Sequence, residues 1–353
     1  MLKFAVAGTG FARKVVLPAL QRHPKTEAIG ISSGHRSRAE EVAREYGVRH
    51  HTTQFSELLD LEPDAVIITT PPDLHHSMSM AALQRGIPVI CEKPMALDAN
   101  EAKEMCRTAR ENNLLAAIDF EFRYLPVRAR MSQLIGEGYL GEITFISLSS
   151  FATNRANPES PWTWWSDATR GGGALGASAS HFLDAFIGWA GPIEEVMGSL
   201  TTVVDSRPDH SGRMRRVDAD DSYSVAIRFE SGASGNMVYC SAATHGRPLE
   251  IAVYGTDGTL INYGDEVLWG GKLGKELQPL EIPDELRLLP DGSHEEEIAD
   301  GYWLQPPFLR LLHDFVSGIE GGKYRGPSFE DGMNVQRALD AVRFSHSTGW
   351  IKP

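Results

Sequence analysis

Short apolar runs recur through the first third of the chain, at residues 4–7, 28–31, 65–68, 89–91 and 114–118. Each is bounded by turn residues and lacks polar alternation, the pattern of strands buried on both faces. The stretches 39–46 and 100–110 between them are rich in Glu, Arg and Ala and read as helices. Asp98 and Glu101, ahead of the second, have the spacing of a capping box. Alternating strands and helices predict right-handed crossovers and a doubly wound parallel sheet. The ligands of such a sheet bind at the carboxyl ends of its strands.

Past residue 121 the period changes. Tyr223, Val225, Ile227 and Phe229 alternate with Ser224, Ala226 and Arg228, and a turn at Glu230-Ser231-Gly232 leads into a second strand over 236–240. Leu249, Ile251 and Val253 keep the period of two, so antiparallel strands with one more apolar face are expected. Helices are expected over 174–189, 304–319 and 330–346, the last with Val335, Ala338, Leu339 and Val342 as its apolar stripe. The expected organisation is an α/β Rossmann domain over 1–120 and an α+β domain over 121–353. The second carries a large, mainly antiparallel, open-faced sheet. Its uncovered face is expected to pair copies of the chain into a homodimer or homotetramer.

A length of 353 residues agrees with two domains. With 42% hydrophobic and 23% charged residues the composition is that of a globular protein, with no long apolar tract for a membrane. The net charge of −13 opposes a nucleic-acid partner. Cys91, Cys106 and Cys240 match neither a disulfide framework nor a metal-ligand spacing, so no metal is expected. Met1-Leu2-Lys3-Phe4 runs straight into the first strand without the regions of a signal peptide, and a cytoplasmic address is expected.

The glycine turn Gly8-Thr9-Gly10-Phe11-Ala12-Arg13 has two glycines of a dinucleotide fingerprint but Arg13 in place of the third. Ala12 is the candidate small contact, and Arg13 is expected to turn towards phosphates or solvent. Helix N-terminal amides make this an anion site. At the end of the second strand, Ser32-Ser33-Gly34-His35-Arg36-Ser37-Arg38 holds no acid before Glu40. Hydroxyls and arginines suit a ribose 2′-phosphate, so NADP is expected over NAD. The double proline of Thr69-Thr70-Pro71-Pro72-Asp73 forces a turn, with Thr70 and Pro71 as candidate cofactor contacts. His75 reads equally as a packed helical histidine and as a ligand-facing one. At the end of the run 87–90 stands Cys91-Glu92-Lys93-Pro94, which places a lysine, costly to desolvate, at the ligand edge of the sheet.

These elements, with Phe122-Arg123-Tyr124, the Gly171-Gly172-Gly173 turn followed by His181 and Asp184, and the ending 327–332 (Pro-Ser-Phe-Glu-Asp-Gly), occur in an order that resembles the Gfo/Idh/MocA family of NAD(P)-dependent oxidoreductases. The resemblance covers essentially the whole chain; Glu92-Lys93-Pro94 is its most specific part. It implies a hydride transfer between nicotinamide and a hydroxyl or carbonyl carbon of a sugar, polyol or related molecule. It also implies a lysine at Lys93 beside the nicotinamide and the reacting oxygen, contacting both cofactor and substrate, a cis bond before Pro94, and Glu92 orienting the lysine or touching cofactor. A positive charge at that place stabilises a developing alkoxide, and His181 is suited to exchange the hydroxyl proton.

The family commonly has an aspartate four residues before this histidine, where the chain has Ala177. Ser178 and Asp184, each three residues from His181, are the available partial replacements. Arg123 reads as a contact of the cofactor carboxamide or of substrate, or as an interdomain salt bridge, and Tyr124, Trp164 and Trp165 are further substrate candidates. Arg155, Arg170, His210 and Arg247 are candidates without assigned geometry. Two other readings stay open: a ligand-sensing regulator on the same scaffold, and a reductase of a non-sugar carbonyl or imine, including one that regenerates its cofactor within each turnover.

Overall fold

The computed structural model describes residues 1–298 and 302–353, which divide into two units: Met1–Tyr124 with Arg287–Met333, and Leu125–Leu286 with Asn334–Pro353. In the first, β1 (Leu2–Ala7), β2 (Thr26–Ser32), β3 (His50–Thr52), β4 (Ala65–Ile68), β5 (Val89–Cys91) and β6 (Ala116–Ile118) form one sheet in the order β3-β2-β1-β4-β5-β6. Every pair in it is parallel. The order reverses between β1 and β4, the switch point where such sheets take ligands. The apolar runs are buried as their lack of alternation requires, with Phe4, Val6, Ile67 and Ile90 all inside. The strand β3 has no such run; its histidines are exposed at the sheet edge. Connecting helices are α1 (Leu17–Arg22), α2 (Arg36–Tyr46), α3 (Phe55–Leu59), α4 (His75–Gln84) and α5 (Ala99–Glu111). The Asp98 carboxylate caps α5 by accepting from the Asn100 and Glu101 amides, and Glu101 reaches back to the Leu97 amide.

The second unit begins with α6 (Pro126–Gly136), β7 (Ile143–Phe151), α7 (Ser180–Ala190) and β8 (Ile193–Thr201). A separate hairpin, β9 (Ser206–Pro208) and β10 (Met214–Arg216), precedes β11 (Ser222–Phe229), β12 (Ser234–Cys240), β13 (Arg247–Gly255), β14 (Gly258–Tyr263), β15 (Val267–Lys272) and β16 (Gln278–Leu280). Eight strands form a sheet in the order β16-β15-β14-β13-β7-β12-β11-β8, antiparallel except for the pair β7 and β12. Alternation along β11 sorts as expected: Tyr223, Val225, Ile227 and Phe229 are buried, whereas Ser224 and Arg228 are exposed. On the other face Phe145, Met197 and Tyr254 remain 36%, 41% and 40% exposed. Short side chains fill the row Ala252, Ser147, Asn236 and Ala226 that leads to Met197.

Two more helices follow, α8 (Gln305–Ile319) and α9 (Phe329–Thr348). The expected boundary, with all of 121–353 in the second domain, differs from the observed one, because Arg287–Met333 belongs to the first unit. The cause is the apolar face of α8. Phe308, Leu309, Leu312, Phe315 and Val316 join Phe4, Val15, Leu17 and Leu20 in a single core. The division falls inside α9 after Met333, and further along that helix Val342 and Ser345 pack on Gly198 of β8.

Candidate active site

Residues one step beyond β1, β4, β5 and β6 build the ligand edge of the first unit. Gly8 has φ +101°, and a Cβ there would lie 2.5 Å from the Thr69 carbonyl oxygen, so only glycine permits this approach of the two loops. The chain is helical from 10 to 22, with a π turn over Ala12–Val16. Ala12 is fully buried and serves as the small contact, and around Gly10 a Cβ would meet nothing within 4 Å. Of the two directions expected for Arg13, phosphates or solvent, the side chain takes the exposed one, where its guanidinium pairs with Glu41 at 3.0 Å and Glu45 at 2.6 Å of α2. Ser32 is buried in β2, whereas the Ser33 hydroxyl lies 3.3 Å from that of Thr9 in the glycine turn. Arg36 and Arg38 are exposed at the start of α2.

The next row crosses β4, β5 and β6. Ile68 pairs with Cys91 and Cys91 with Ile118, so Thr69, Glu92 and Asp119 stand side by side one residue further on. Main-chain bonds continue through that row, from Glu92 N–H to the Ile68 carbonyl at 2.9 Å and from Asp119 N–H to the Cys91 carbonyl at 2.7 Å. Lys93 follows, half-buried, with a cis bond to Pro94. Around its ammonium stand three buried carboxyls: Glu92, 8% exposed, and Asp119 and Glu121, each 1%. Glu92 accepts from the Lys93 amide at 3.1 Å, and among the described residues no donor meets either Asp119 oxygen. Two facing acceptors are satisfied by a proton between them. Burial raises the pKa of all three acids, and the Lys93 charge pulls each back down. Neighbouring carboxylates add to the rise at Asp119 and Glu121, and Glu121 reaches about 8.

The 327–332 segment closes this edge. Its Pro327 carbonyl accepts from the Ile118 amide at 3.1 Å, and Asp331 pairs with Arg123 at 3.0 Å. Burial would raise the Asp331 pKa, but Arg123 and Ser328 hold it below the ordinary value. Arg123 is therefore engaged in an ion pair within the first unit. Tyr124 is also committed: its hydroxyl donates to Asp314 of α8 at 2.7 Å, and burial together with that carboxylate pushes its pKa up. His75 is fully buried on main-chain carbonyls and does not face a ligand. A cavity of about 430 Å³ lined by Leu17, Leu20, Thr26 and His50 opens at the amino end of β2, the opposite end from Lys93.

In the second unit the triple glycine starts the helical stretch that carries His181. A Cβ on Gly172 would lie 2.6 Å from the Trp164 carbonyl oxygen, and one on Gly173, at φ +110°, 2.4 Å from Asp220 Oδ1. Asp220 holds that helix start through its carbonyl, on the Ala174 amide at 2.8 Å, and its carboxylate, on the Leu175 amide at 2.7 Å. Burial raises its pKa to about 6. His181 and Asp184 are both buried on α7. Ser178 is not free to replace an acid at Ala177, since its hydroxyl donates to the Ala174 carbonyl at 2.8 Å and sits 3.2 Å from the Tyr223 hydroxyl. Trp164 and Trp165 are half-buried, with Arg155 stacked 4.9 Å over the Trp165 ring.

Residues 2–120 match a family model described as an oxidoreductase family with an NAD-binding Rossmann fold, and residues 129–261 match the GFO/IDH/MocA C-terminal domain. The chain belongs to the Gfo/Idh/MocA family of oxidoreductases. It is 31% identical to an uncharacterized oxidoreductase of Synechocystis sp., over 98% of this chain and 94% of that one. Levoglucosan dehydrogenase of Pseudarthrobacter phenanthrenivorans is 30% identical over 86% of this chain and 83% of its own. A solved levoglucosan dehydrogenase in complex with NADH and L-sorbose superposes with a TM-score of 0.90 at 26% identity, covering 100% of this chain and 98% of the other. Among the described residues no helix is long and apolar enough to cross a membrane.

For this Gfo/Idh/MocA oxidoreductase the glycine turn fits the family's dinucleotide. Gly8 brings backbone against backbone, Gly10 leaves open space before a helix start, and the Thr9 and Ser33 hydroxyls converge beside it. Sequence reasoning missed Asp119, Glu121 and Asp220. The first two follow the last strand at alternate positions, a weak local signal. The third lies 47 residues past the glycine it packs on, outside any local pattern.

Proposed function

We propose that the protein is an NAD(P)-dependent dehydrogenase or reductase acting on a CH–OH or carbonyl carbon of a sugar or polyol. The observation that carries this reading is Lys93, a half-buried lysine on the turn after β5, at the edge where the glycine turn also lies and among three buried acids. A nicotinamide, when bound, supplies hydride transfer. Lys93 stabilises negative charge on the substrate oxygen, and Glu92 holds the Lys93 main chain. His181 exchanges the hydroxyl proton. Trp164 and Trp165 offer aromatic surface to a sugar ring.

We assign NADP as the preferred cofactor, on the exposed Arg36 and Arg38 and the lack of an acid between Ser32 at the end of β2 and Glu40. A panel of levoglucosan, myo-inositol, D-glucose and D-xylose, assayed at 340 nm with both cofactors, tests both assignments. Turnover with kcat/KM about tenfold higher for NADP is expected, the worth of one charge-assisted contact. Equal or better efficiency with NAD refutes the preference. Cofactor binding without turnover of any hydroxyl or carbonyl compound would instead identify a sensor.

The same proposal includes a homo-oligomer built on the open sheet face, where Phe145, Met197 and Tyr254 flank short side chains. Light scattering should give at least twice the 38.8 kDa chain mass at micromolar concentration. An Ala226→Arg variant should shift it towards monomer. A monomeric wild type removes the idea.

A further inference from the structure

Two arginines of the second unit, Arg155 on the loop after β7 and Arg207 in β9, form no ion pair among the described residues. Arg207 is 1% exposed, and its terminal nitrogens donate to two carbonyls of that loop, Asn157 at 2.7 Å and Arg155 at 2.5 Å. Its Nε meets no acceptor among the described residues. Arg155 is half-buried, with its guanidinium 4.9 Å over the Trp165 ring and a nitrogen 3.4 Å from the Ser166 hydroxyl, to which it donates. Burial lowers the pKa of both arginines, the Arg207 charge adds to the fall at Arg155, and the Asp221 charge opposes it at each. The Asp221 oxygens already accept from the Val203 and Val204 amides, at 2.8 and 3.0 Å. Two cations thus face one acid, and the excess positive charge stands where desolvation makes it costly.

Main-chain bonds tie this pair to the helical stretch that carries His181. The Arg155 amide donates to the Ser241 carbonyl at 2.9 Å, and the Ser241 amide to the Asp221 carbonyl at 2.8 Å. Asp220, one residue earlier, holds the Ala174 and Leu175 amides at the start of that stretch. Because β7 and β12 are parallel, Phe151 and Cys240 end side by side, and the loop with Arg155 leaves from that edge.

We propose that Arg155, backed by Arg207, is an anion subsite for the substrate, which carries a carboxylate or a phosphate, as a uronic acid, an aldonic acid or a sugar phosphate does. The proposal deepens the function given above and rests on it. A guanidinium held flat on an indole is preorganised to grip two oxygens at once. Trp165, and Trp164 with its ring centre 6.3 Å away, offer the ring of the same molecule an aromatic surface. An uncharged sugar presents only a hydroxyl to Arg155, a weaker contact than a charge-assisted one.

Calorimetric titration of matched acid and neutral compounds, in the presence of NADPH, tests this. The pairs are D-glucuronate with D-glucose, D-galacturonate with D-galactose, and D-gluconate with D-glucitol; D-glucose 6-phosphate against D-glucose is the phosphate arm. In at least one pair the anion should bind about tenfold or more tightly than its neutral partner, and the pair that does so identifies carboxylate or phosphate as the source of the charge. Arg155→Gln should bring that ratio close to one. Arg155→Lys, which keeps the charge but loses the planar fork, should give a ratio below wild type, and it decides the matter if the glutamine variant does not fold. No anion bound more tightly than its neutral partner, or a ratio that persists in both variants, overturns the proposal. Turnover at 340 nm separates the two readings. Anion preference without turnover of any compound leaves the subsite and removes the dehydrogenase; turnover of neutral sugars without anion preference does the reverse.

Discussion

Lys93→Met is expected to lower kcat by about a hundred- to a thousandfold, the cost of removing one preorganised group that stabilises charge developing on a reacting oxygen. The fold should survive. With the ammonium gone, Glu92, Asp119 and Glu121 lose the charge that holds their pKa values down. They respond by holding protons more tightly instead of remaining as buried anions. Thermal stability near neutral pH should therefore change little, and NADPH affinity should stay within about threefold, because the glycine turn is untouched. Steady-state kinetics on the wild-type substrate, with cofactor titration on the same preparation, checks this. A kcat within about threefold of wild type ends the assignment of Lys93 to the chemistry. The companion variant His181→Ala should lose about a hundredfold if the histidine moves the hydroxyl proton. Retention of most of the turnover there, with its loss in Lys93→Met, would leave the lysine and remove the histidine.

The parallel sheet was legible because strands buried on both faces leave continuous apolar runs, and five of its six strands carry one. The missing strand, His50–Thr52, is polar and at the edge, where burial imposes no pattern. Helix α8 was legible as a helix, but periodicity states only that one face is buried, not against what. Its Phe308 and Leu312 enter the core of a sheet nearly 200 residues earlier in the chain, and this is why the domain boundary moved. The site divides in the same way. Lys93, Glu92 and the glycine turn are local words. The acids around Lys93 meet only through the register of Ile68, Cys91 and Ile118. The partners of Arg13 and Tyr124, Glu41 and Glu45 on α2 and Asp314 on α8, were not legible because packing sets them.

Glu121 supplies the second large effect, on stability rather than turnover. Its pKa of about 8 stands against an ordinary value of 4.5. Between those two pH values the folded protein keeps a proton that the unfolded chain has lost. Stability must therefore fall as pH rises from about 4.5 to 8, and level off above that. Glutamine is nearly isosteric and cannot ionise, so Glu121→Gln removes the Glu121 share of this slope and leaves the shares of Glu92 and Asp119, whose pKa values are also raised. The expected gain over wild type is near zero at pH 5 and of the order of a few kcal/mol at pH 8.5, about 5–10 °C in Tm. Thermal unfolding at the two pH values measures it, and an equal Tm difference at both would show that Glu121 is not the titrating group. Placement of this carboxyl beside Lys93 gives the slope a functional reading. A buried acid that resists ionisation is retained at a loss of stability where the charge state of its neighbour matters more. Glu121→Gln should then shift the alkaline limb of the kcat profile while raising Tm, a trade that a purely structural acid would not make.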